Sequence, residues 1–145
     1  MPQNLTRRST LSIALAFGLL AAPVAHADAP ESLPGATTVN AEGVIELITN
    51  TPNLVILDNR RQGDYTAGHI EGAVNLIDTD ITGADVLVAH GVNADTPVLF
   101  YCNGLSCPRS SNATKKAVDW GYTNVYYYAH GMTEWNSLGL PLVSR

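Results

Sequence analysis

The residues best suited to chemistry lie in one short segment, 102–111, which contains both cysteines of the chain. It follows an apolar run that ends at Tyr101 and precedes a stretch with helical character. A loop between a strand and a helix can turn successive backbone N–H groups toward one centre, where the helix dipole adds positive charge. Such a field lowers the pKa of a cysteine thiol below its usual value of about 8.5. We therefore predict Cys102, at the strand end, to be a reactive thiolate.

Polar residues that follow Cys102 could bind an anion beside it. Arg109 supplies a full positive charge and a pair of parallel donors suited to an oxyanion. Ser110 or Ser111 could cap the following helix and donate a hydrogen bond to the sulfur. The same cysteines also have a structural interpretation: a cysteine at a strand end is often a small buried hydrophobe. Two nearby cysteines in an exported protein could also form a structural disulfide.

Composition and charge exclude several classes of function. Lys+Arg number 8 against 13 Asp+Glu, and the net charge of −5 argues against a general nucleic-acid binder. Apolar residues make up 46% of the chain and charged ones 14%, which is typical of one packed globular domain. Two cysteines are too few for a four-cysteine zinc site, and no histidine pair has metal-ligand spacing. We expect no metal and no organic cofactor.

Residues 1–27 are predicted to be a secretory signal peptide. Arg7-Arg8 precede an apolar run over 11–24, and Ala25-His26-Ala27 is a small-x-small cleavage site, so we expect cleavage after Ala27. The run is shorter than the roughly 20 residues that span a bilayer, although an uncleaved anchor is the alternative. The paired arginines partly match a twin-arginine signal, which leaves the export route open. The expected location is the periplasm or the exterior, where disulfides can form.

The rest of the chain alternates strands and helices. Residues 28–37 contain proline and glycine and are predicted to be a flexible leader, followed by one domain over 38–145. Strands are predicted at 38–39, 54–57, 72–76, 97–101 and 124–128. Helices are predicted at 41–49, 85–90, 110–120 and 132–138, the first capped by Asn40 and the third stopped by Gly121. This order indicates an α/β fold, a mostly parallel central sheet with helices on both faces and ligands at the carboxyl ends of its strands.

Several motifs resemble, in the same order, those of single-domain rhodanese-like sulfurtransferases. Asp58 and Arg60 match the apolar-Asp-x-Arg end of a strand, and residues 64–76 are similar to the acidic-aromatic and Gly-His-Ile-x-Gly-Ala-x-Asn box. Cys102 stands at the position of the active cysteine. Closing motifs follow at 121–125, 131–135 and 139–141. The resemblance covers about 39–143.

The resemblance implies a rhodanese-like domain that transfers sulfane sulfur through Cys102. The cysteine would attack a donor such as thiosulfate, carry the sulfur as a persulfide, and pass it to cyanide, a small thiol or a protein thiol. Asp58 and Arg60 would support the loop, either as an ion pair or through substrate contact. His69 is expected to be structural. The implied substrate-binding residues, mostly through backbone amides, are Asn103, Gly104, Leu105, Ser106, Cys107, Arg109 and Ser110.

Two features depart from the family pattern. The loop between Cys102 and Arg109-Ser110 is two residues longer than the common Cys-x-x-Gly-x-Arg-Ser. A phosphatase or arsenate reductase would need the arginine one position earlier, where Pro108 stands, so that class is disfavoured. His130 stands where the family usually has glycine before the last helix, which affects the expected shape of the pocket rim.

Cys107 has three interpretations. It could be a resolving thiol that closes a disulfide with Cys102, a packing residue, or the nucleophile itself; the strand-end position favours Cys102. A disulfide would silence the transferase until it is reduced. The alternative function is therefore a non-catalytic binding or redox module of a periplasmic oxidation system, with a Cys102–Cys107 disulfide. Ser110-Ser111-Asn112-Ala113 resembles a two-cysteine subset of the family associated with quinoprotein oxidation.

Overall fold

A five-stranded parallel sheet organises residues 28–145, the part of the chain that this computed structural model describes. The predicted signal peptide, 1–27, lies outside the described residues. The strands lie in the order β1-β5-β4-β2-β3, and every neighbouring pair is parallel. The predicted α/β class with a parallel sheet is confirmed. The strands are β1 (Thr37–Thr38), β2 (Val55–Asp58), β3 (Val74–Asn75), β4 (Val98–Tyr101) and β5 (Val125–Tyr128).

Helices pack on both faces of the sheet. Successive β4 residues point to opposite faces: Phe100 joins a core cluster with Ala113 and Ala117, whereas Leu99 joins a second cluster with Trp135. Burial of both faces explains why the central strands are continuous apolar runs rather than alternating ones. The helices are α1 (Ala41–Asn50), α2 (Gln62–Ala67), α3 (Ala84–Ala89), α4 (Arg109–Asp119) and α5 (Gly131–Ser137). None of the helices in residues 28–145 is long and apolar enough to cross a membrane.

Capping residues set one end of each of the two longest helices, α1 and α4. Asn40 accepts a hydrogen bond from the Gly43 N–H at 2.9 Å, so the predicted cap of α1 is confirmed. Gly121 follows Trp120, the C-terminal cap residue of α4, has φ +86° and ends the helix as predicted. Helix α2 and a 3-10 turn at Asp78–Asp80 were not predicted, because neither is long enough to show a helical apolar period.

The segment between the predicted cleavage site and β1 has no helix or strand, yet it packs against the domain. Ala29 donates its N–H to the Leu105 carbonyl at 2.6 Å, and the Tyr127 hydroxyl donates to the Pro30 carbonyl at 2.8 Å. Leu33 is buried in a small cluster that includes Tyr127. The segment predicted as a leader is therefore attached to the loop that carries the cysteines.

We expect Leu33→Ala to lower the free energy of unfolding by about 2 kcal/mol, because the truncation leaves a cavity under the attached segment. Urea unfolding followed by circular dichroism would measure the change. The matched control is Leu138→Ala, since Leu138 is 60% exposed and should lose less than about 0.5 kcal/mol. Equal small losses in the two variants would mean that the segment contributes nothing to stability.

Candidate active site

The segment 102–108 links the end of β4 to the start of α4 at the carboxyl edge of the sheet. In register, Tyr101 lies between Asp58 of β2 and Tyr128 of β5, so the loop begins at the centre of that edge. Ligands of parallel α/β sheets bind at this edge. The structure therefore places Cys102 where the sequence predicts a functional group.

Cys102 and Cys107 are joined by a disulfide in this structure. Their Cα atoms are 6.2 Å apart, within the usual disulfide range. The Cys107 N–H donates to the Gly104 carbonyl at 3.0 Å, a turn that folds the second cysteine back onto the first. Cys102 is 1% exposed and Cys107 5%. The turn thus brings Cys107 within bonding reach of Cys102, and neither sulfur is a free thiolate in this form.

The loop orients its carbonyl groups toward neighbouring segments. The carbonyls of Cys102, Asn103 and Leu105 accept backbone N–H groups from α5 and from the segment before β1. By contrast, no hydrogen bond within residues 28–145 uses the N–H groups of residues 103–106. Unpaired donors in succession are what an anion-binding loop requires. The donors are Met132 N–H to Cys102 (3.0 Å), Thr133 N–H to Asn103 (2.8 Å) and Ala29 N–H to Leu105 (2.6 Å).

Gly131 forms the close contact between α5 and the loop. Its φ is +50°, and a Cβ at this position would collide with the Cys102 carbonyl. His130, flagged by the sequence at this junction, is exposed and directly precedes α5. The sequence pattern singles out His130, whereas the close approach to the loop occurs at the next residue, Gly131. Gly131 is the first residue of the motif at 131–135, but only the packed structure shows its contact with the loop.

Gly131→Ala is expected to cost at least about 2 kcal/mol more in unfolding free energy than Gly139→Ala. Both glycines have positive φ, but nothing lies within 4 Å of a Cβ built at Gly139. Gly139→Ala therefore loses stability through backbone strain alone. The difference in unfolding free energy between the two variants measures the collision of the Gly131→Ala side chain with the loop. Chemical unfolding of the two variants in parallel would measure it. Equal losses would contradict the packing of Gly131 against the Cys102 carbonyl.

Arg109 begins α4 and lies beside the disulfide. Its Nη1 is 3.4 Å from the Cys107 sulfur, so its positive charge faces Cys107. The prediction that Ser110 or Ser111 caps the helix is wrong. Pro108 occupies the cap position with helical dihedral angles, which places both serines inside the first turn. The Ser111 hydroxyl donates to the Pro108 carbonyl at 2.8 Å, and Ser110 is fully buried.

Asp58 and Arg60 form a buried ion pair behind the loop. The Arg60 Nη2 is 2.7 Å from Asp58 Oδ2, and Nε lies 3.0 and 3.1 Å from the two carboxylate oxygens. Arg60 also donates to the Gly68 carbonyl at 2.7 Å. Asp58 is 0% exposed and Arg60 5%. Of the two interpretations of this pair, the structure supports the ion pair.

Tyr101 joins that pair and was not anticipated from the sequence. Its hydroxyl donates to Asp58 Oδ2 at 2.6 Å and accepts the Ile70 N–H at 3.3 Å. Burial raises the pKa of Tyr101, and the adjacent Asp58 charge raises it further. For Arg60, burial opposes the charge, but the hydrogen bonds and charge of Asp58 outweigh it, and its pKa is raised. The residue before Cys102 is thus held as a neutral phenol.

His69 and a cavity beside α1 and α5 lie outside the cysteine loop. The His69 ring is buried, bonds the Tyr65 carbonyl through Nδ1 at 2.8 Å and stacks on the Tyr65 ring. This cavity of about 370 Å³ is lined mostly by apolar residues of α1, α5, the segment 70–72 and the C-terminal segment, and by neither cysteine. No cluster of potential metal ligands occurs within the described range 28–145.

Comparison with known proteins identifies the family. The rhodanese-like domain matches residues 40–138 of this 145-residue chain. The chain belongs to the rhodanese-like family. This confirms the resemblance read from the motifs, and the matched range contains every strand of the sheet except β1 together with the cysteine loop.

Related proteins agree with this assignment. The uncharacterized protein YibN of Escherichia coli K12 is 31% identical over 116 residues, which cover 78% of this chain and 77% of YibN. The polysulfide-sulfur transferase homodimer from Wolinella succinogenes has a TM-score of 0.60 and 20% identity, covering 77% of this chain and 80% of its own. A thiosulfate sulfurtransferase from Pseudomonas aeruginosa has a TM-score of 0.61 and 23% identity, over 75% of this chain and 20% of its own. The chain therefore shares the rhodanese-like fold with sulfur-transferring proteins.

Proposed function

We propose that the protein is a sulfurtransferase that carries sulfane sulfur on Cys102. The observation that supports this most is the row of N–H groups of residues 103–106, which have no acceptor within residues 28–145 and lie beside a cysteine at the carboxyl end of β4. These donors would stabilise negative charge on the Cys102 thiolate and on its persulfide. Arg109, at the start of α4, would add a positive charge on the same side.

The reaction would proceed in two halves. In the first, the Cys102 thiolate attacks the sulfane sulfur of thiosulfate; a new S–S bond forms, and sulfite leaves with the electron pair of the old bond. In the second, an acceptor such as cyanide attacks the outer sulfur, thiocyanate leaves, and the Cys102 thiolate is restored. No metal or organic cofactor has a role in this cycle. A small thiol or a protein thiol could replace cyanide as acceptor.

The location of this activity is also a proposal. Residues 1–27 would direct export and be removed after Ala27, which leaves a soluble periplasmic enzyme with no nucleic-acid or membrane partner. In an oxidising compartment the Cys102–Cys107 disulfide would accumulate. A thiol reductant or protein thiol partner would then be needed to start each period of activity.

The test is thiosulfate:cyanide transfer by the purified protein before and after reduction. We expect the oxidised protein to be at least about 100-fold less active than the reduced, desalted protein, because Cys102 is blocked in the disulfide. Alkylation and intact mass would report the thiol content of each sample. Two free thiols in protein purified without reductant would contradict the disulfide-gated form of the proposal.

A second candidate is a non-catalytic redox or binding module of a periplasmic oxidation system. The buried disulfide favours it, since a structural or sensing cystine needs no access for a small donor. This candidate predicts no transfer by any form of the protein, reduced or oxidised. Activity that appears on reduction would exclude it.

A further inference from the structure

We propose that Cys107 resolves the Cys102 persulfide and releases its sulfur as hydrosulfide, so that the protein also acts as a thiosulfate reductase toward dithiol donors. This inference rests on the proposed function, because it begins from the same persulfide. It adds a second outcome for the sulfur and a class of partner, a protein or small dithiol reductant.

The first support is the position of the two sulfur atoms. The disulfide shows that the Cys107 sulfur reaches the Cys102 sulfur itself, which is the inner sulfur of a persulfide. The turn closed by the Cys107 N–H and the Gly104 carbonyl holds this approach in the backbone. Attack at the inner sulfur expels the outer one. Attack at the outer sulfur would require Cys107 to reach an atom one bond farther away.

The second support is the charge beside Cys107. Arg109 Nη1 is 3.4 Å from the Cys107 sulfur, so the guanidinium favours the thiolate form of this cysteine over the thiol. Hydrosulfide is the conjugate base of a stronger acid than a cysteine thiol, which makes it the better leaving group. An activated nucleophile and a good leaving group therefore meet at the Cys102 sulfur.

The step balances without a further oxidant. The persulfide first takes a proton from solvent. The Cys107 thiolate then forms a bond to the Cys102 sulfur, the bond between that sulfur and the sulfane sulfur breaks, and the sulfane sulfur leaves with the electron pair and the proton as hydrosulfide. The sulfane sulfur is reduced by two electrons, and the two cysteines are oxidised to the disulfide. An external dithiol then reduces the disulfide by two thiol–disulfide exchanges. The net reaction converts thiosulfate and a dithiol into sulfite, hydrosulfide and a disulfide.

A single-turnover experiment tests the proposal. Reduced, desalted protein is mixed with thiosulfate in the absence of any thiol or cyanide, and sulfite, sulfide and protein thiols are measured. We expect one sulfite and one sulfide per protein, with loss of both thiols. In Cys107→Ser we expect the sulfite but at least about tenfold less sulfide, with the extra sulfur retained on the protein. Circular dichroism would confirm that this variant is folded.

The outcomes separate this inference from the proposed function. Sulfite without sulfide from the unaltered protein, with the extra sulfur still bound, would overturn the resolving role of Cys107 and leave the transferase intact. Equal sulfide release by Cys107→Ser would also overturn it. No sulfite from the unaltered protein would instead reject the Cys102 persulfide. In Arg109→Met, we expect the rate of sulfide release to fall relative to the rate of sulfite release, because the positive charge beside Cys107 is lost.

Discussion

Replacing Cys102 by serine is expected to lower kcat/KM for thiosulfate:cyanide transfer by at least about 1000-fold in the reduced protein. The hydroxyl of serine has a pKa far above that of a thiol, so the loop donors cannot hold it as an anion at neutral pH. Its oxygen also cannot carry sulfane sulfur as a persulfide. Initial rates of thiocyanate formation would measure the loss.

Cys107→Ser is the comparison that decides which cysteine is the nucleophile. It should lose far less activity than Cys102→Ser, because cyanide removes the sulfur directly from Cys102. It should also no longer depend on reductant, since the disulfide cannot form. The reverse order of the two losses would assign the chemistry to Cys107. Equal, complete losses with both variants folded would contradict a single nucleophile supported by the loop.

Asp58→Asn is expected to reduce the free energy of unfolding by about 3–5 kcal/mol, because it leaves the Arg60 guanidinium buried without its counter-charge. Asp58 is 0% exposed and also accepts a hydrogen bond from the Tyr101 hydroxyl, so the substitution disturbs both Arg60 and Tyr101. Equilibrium urea unfolding would measure the loss. The control is Asp64→Asn, a nearby carboxylate that is exposed and has no ion pair within the described residues.

The double variant Asp58→Asn with Arg60→Met separates the ion pair from the packing around it. Removing both charges should recover part of the stability that Asp58→Asn loses, because a methionine fills apolar space without a desolvated charge. A loss below about 1 kcal/mol for Asp58→Asn alone would show that Arg60 finds another partner or solvent. In that case the pair would not be what holds the ends of β2 and β4 together.

Much of the fold follows from local sequence patterns. The apolar runs at 54–57 and 97–101 predict β2 and β4 because both faces of a central parallel strand are covered. Asn40 and Gly121 mark helix ends through side-chain and backbone chemistry that acts over a few residues. The position of Cys102 at a strand end follows from the same patterns.

The remaining features depend on contacts between distant segments. From the sequence, Tyr101 is an ordinary aromatic residue of a strand. The structure shows that its hydroxyl donates a hydrogen bond to Asp58, which is 43 residues away in the sequence. From the sequence, Gly131 is one residue of a motif. The structure shows that the Cys102 carbonyl lies where a side chain at this position would be. The packing of residues 28–36 depends on Leu105 and Tyr127. The spacing of the cysteines permitted a disulfide but could not decide it, because the turn at Gly104 sets the direction of Cys107.

Whether Cys102 carries sulfane sulfur can be established by trapping the persulfide and locating it in the chain by mass spectrometry. Reduced Cys107→Ser would be treated with thiosulfate, alkylated and digested, and the peptide that contains Cys102 fragmented. We expect a mass gain of one sulfur atom located on Cys102, and no gain in a sample that is treated with cyanide before alkylation. A folded, reduced sample with no mass gain on Cys102 would show that this cysteine does not carry sulfane sulfur.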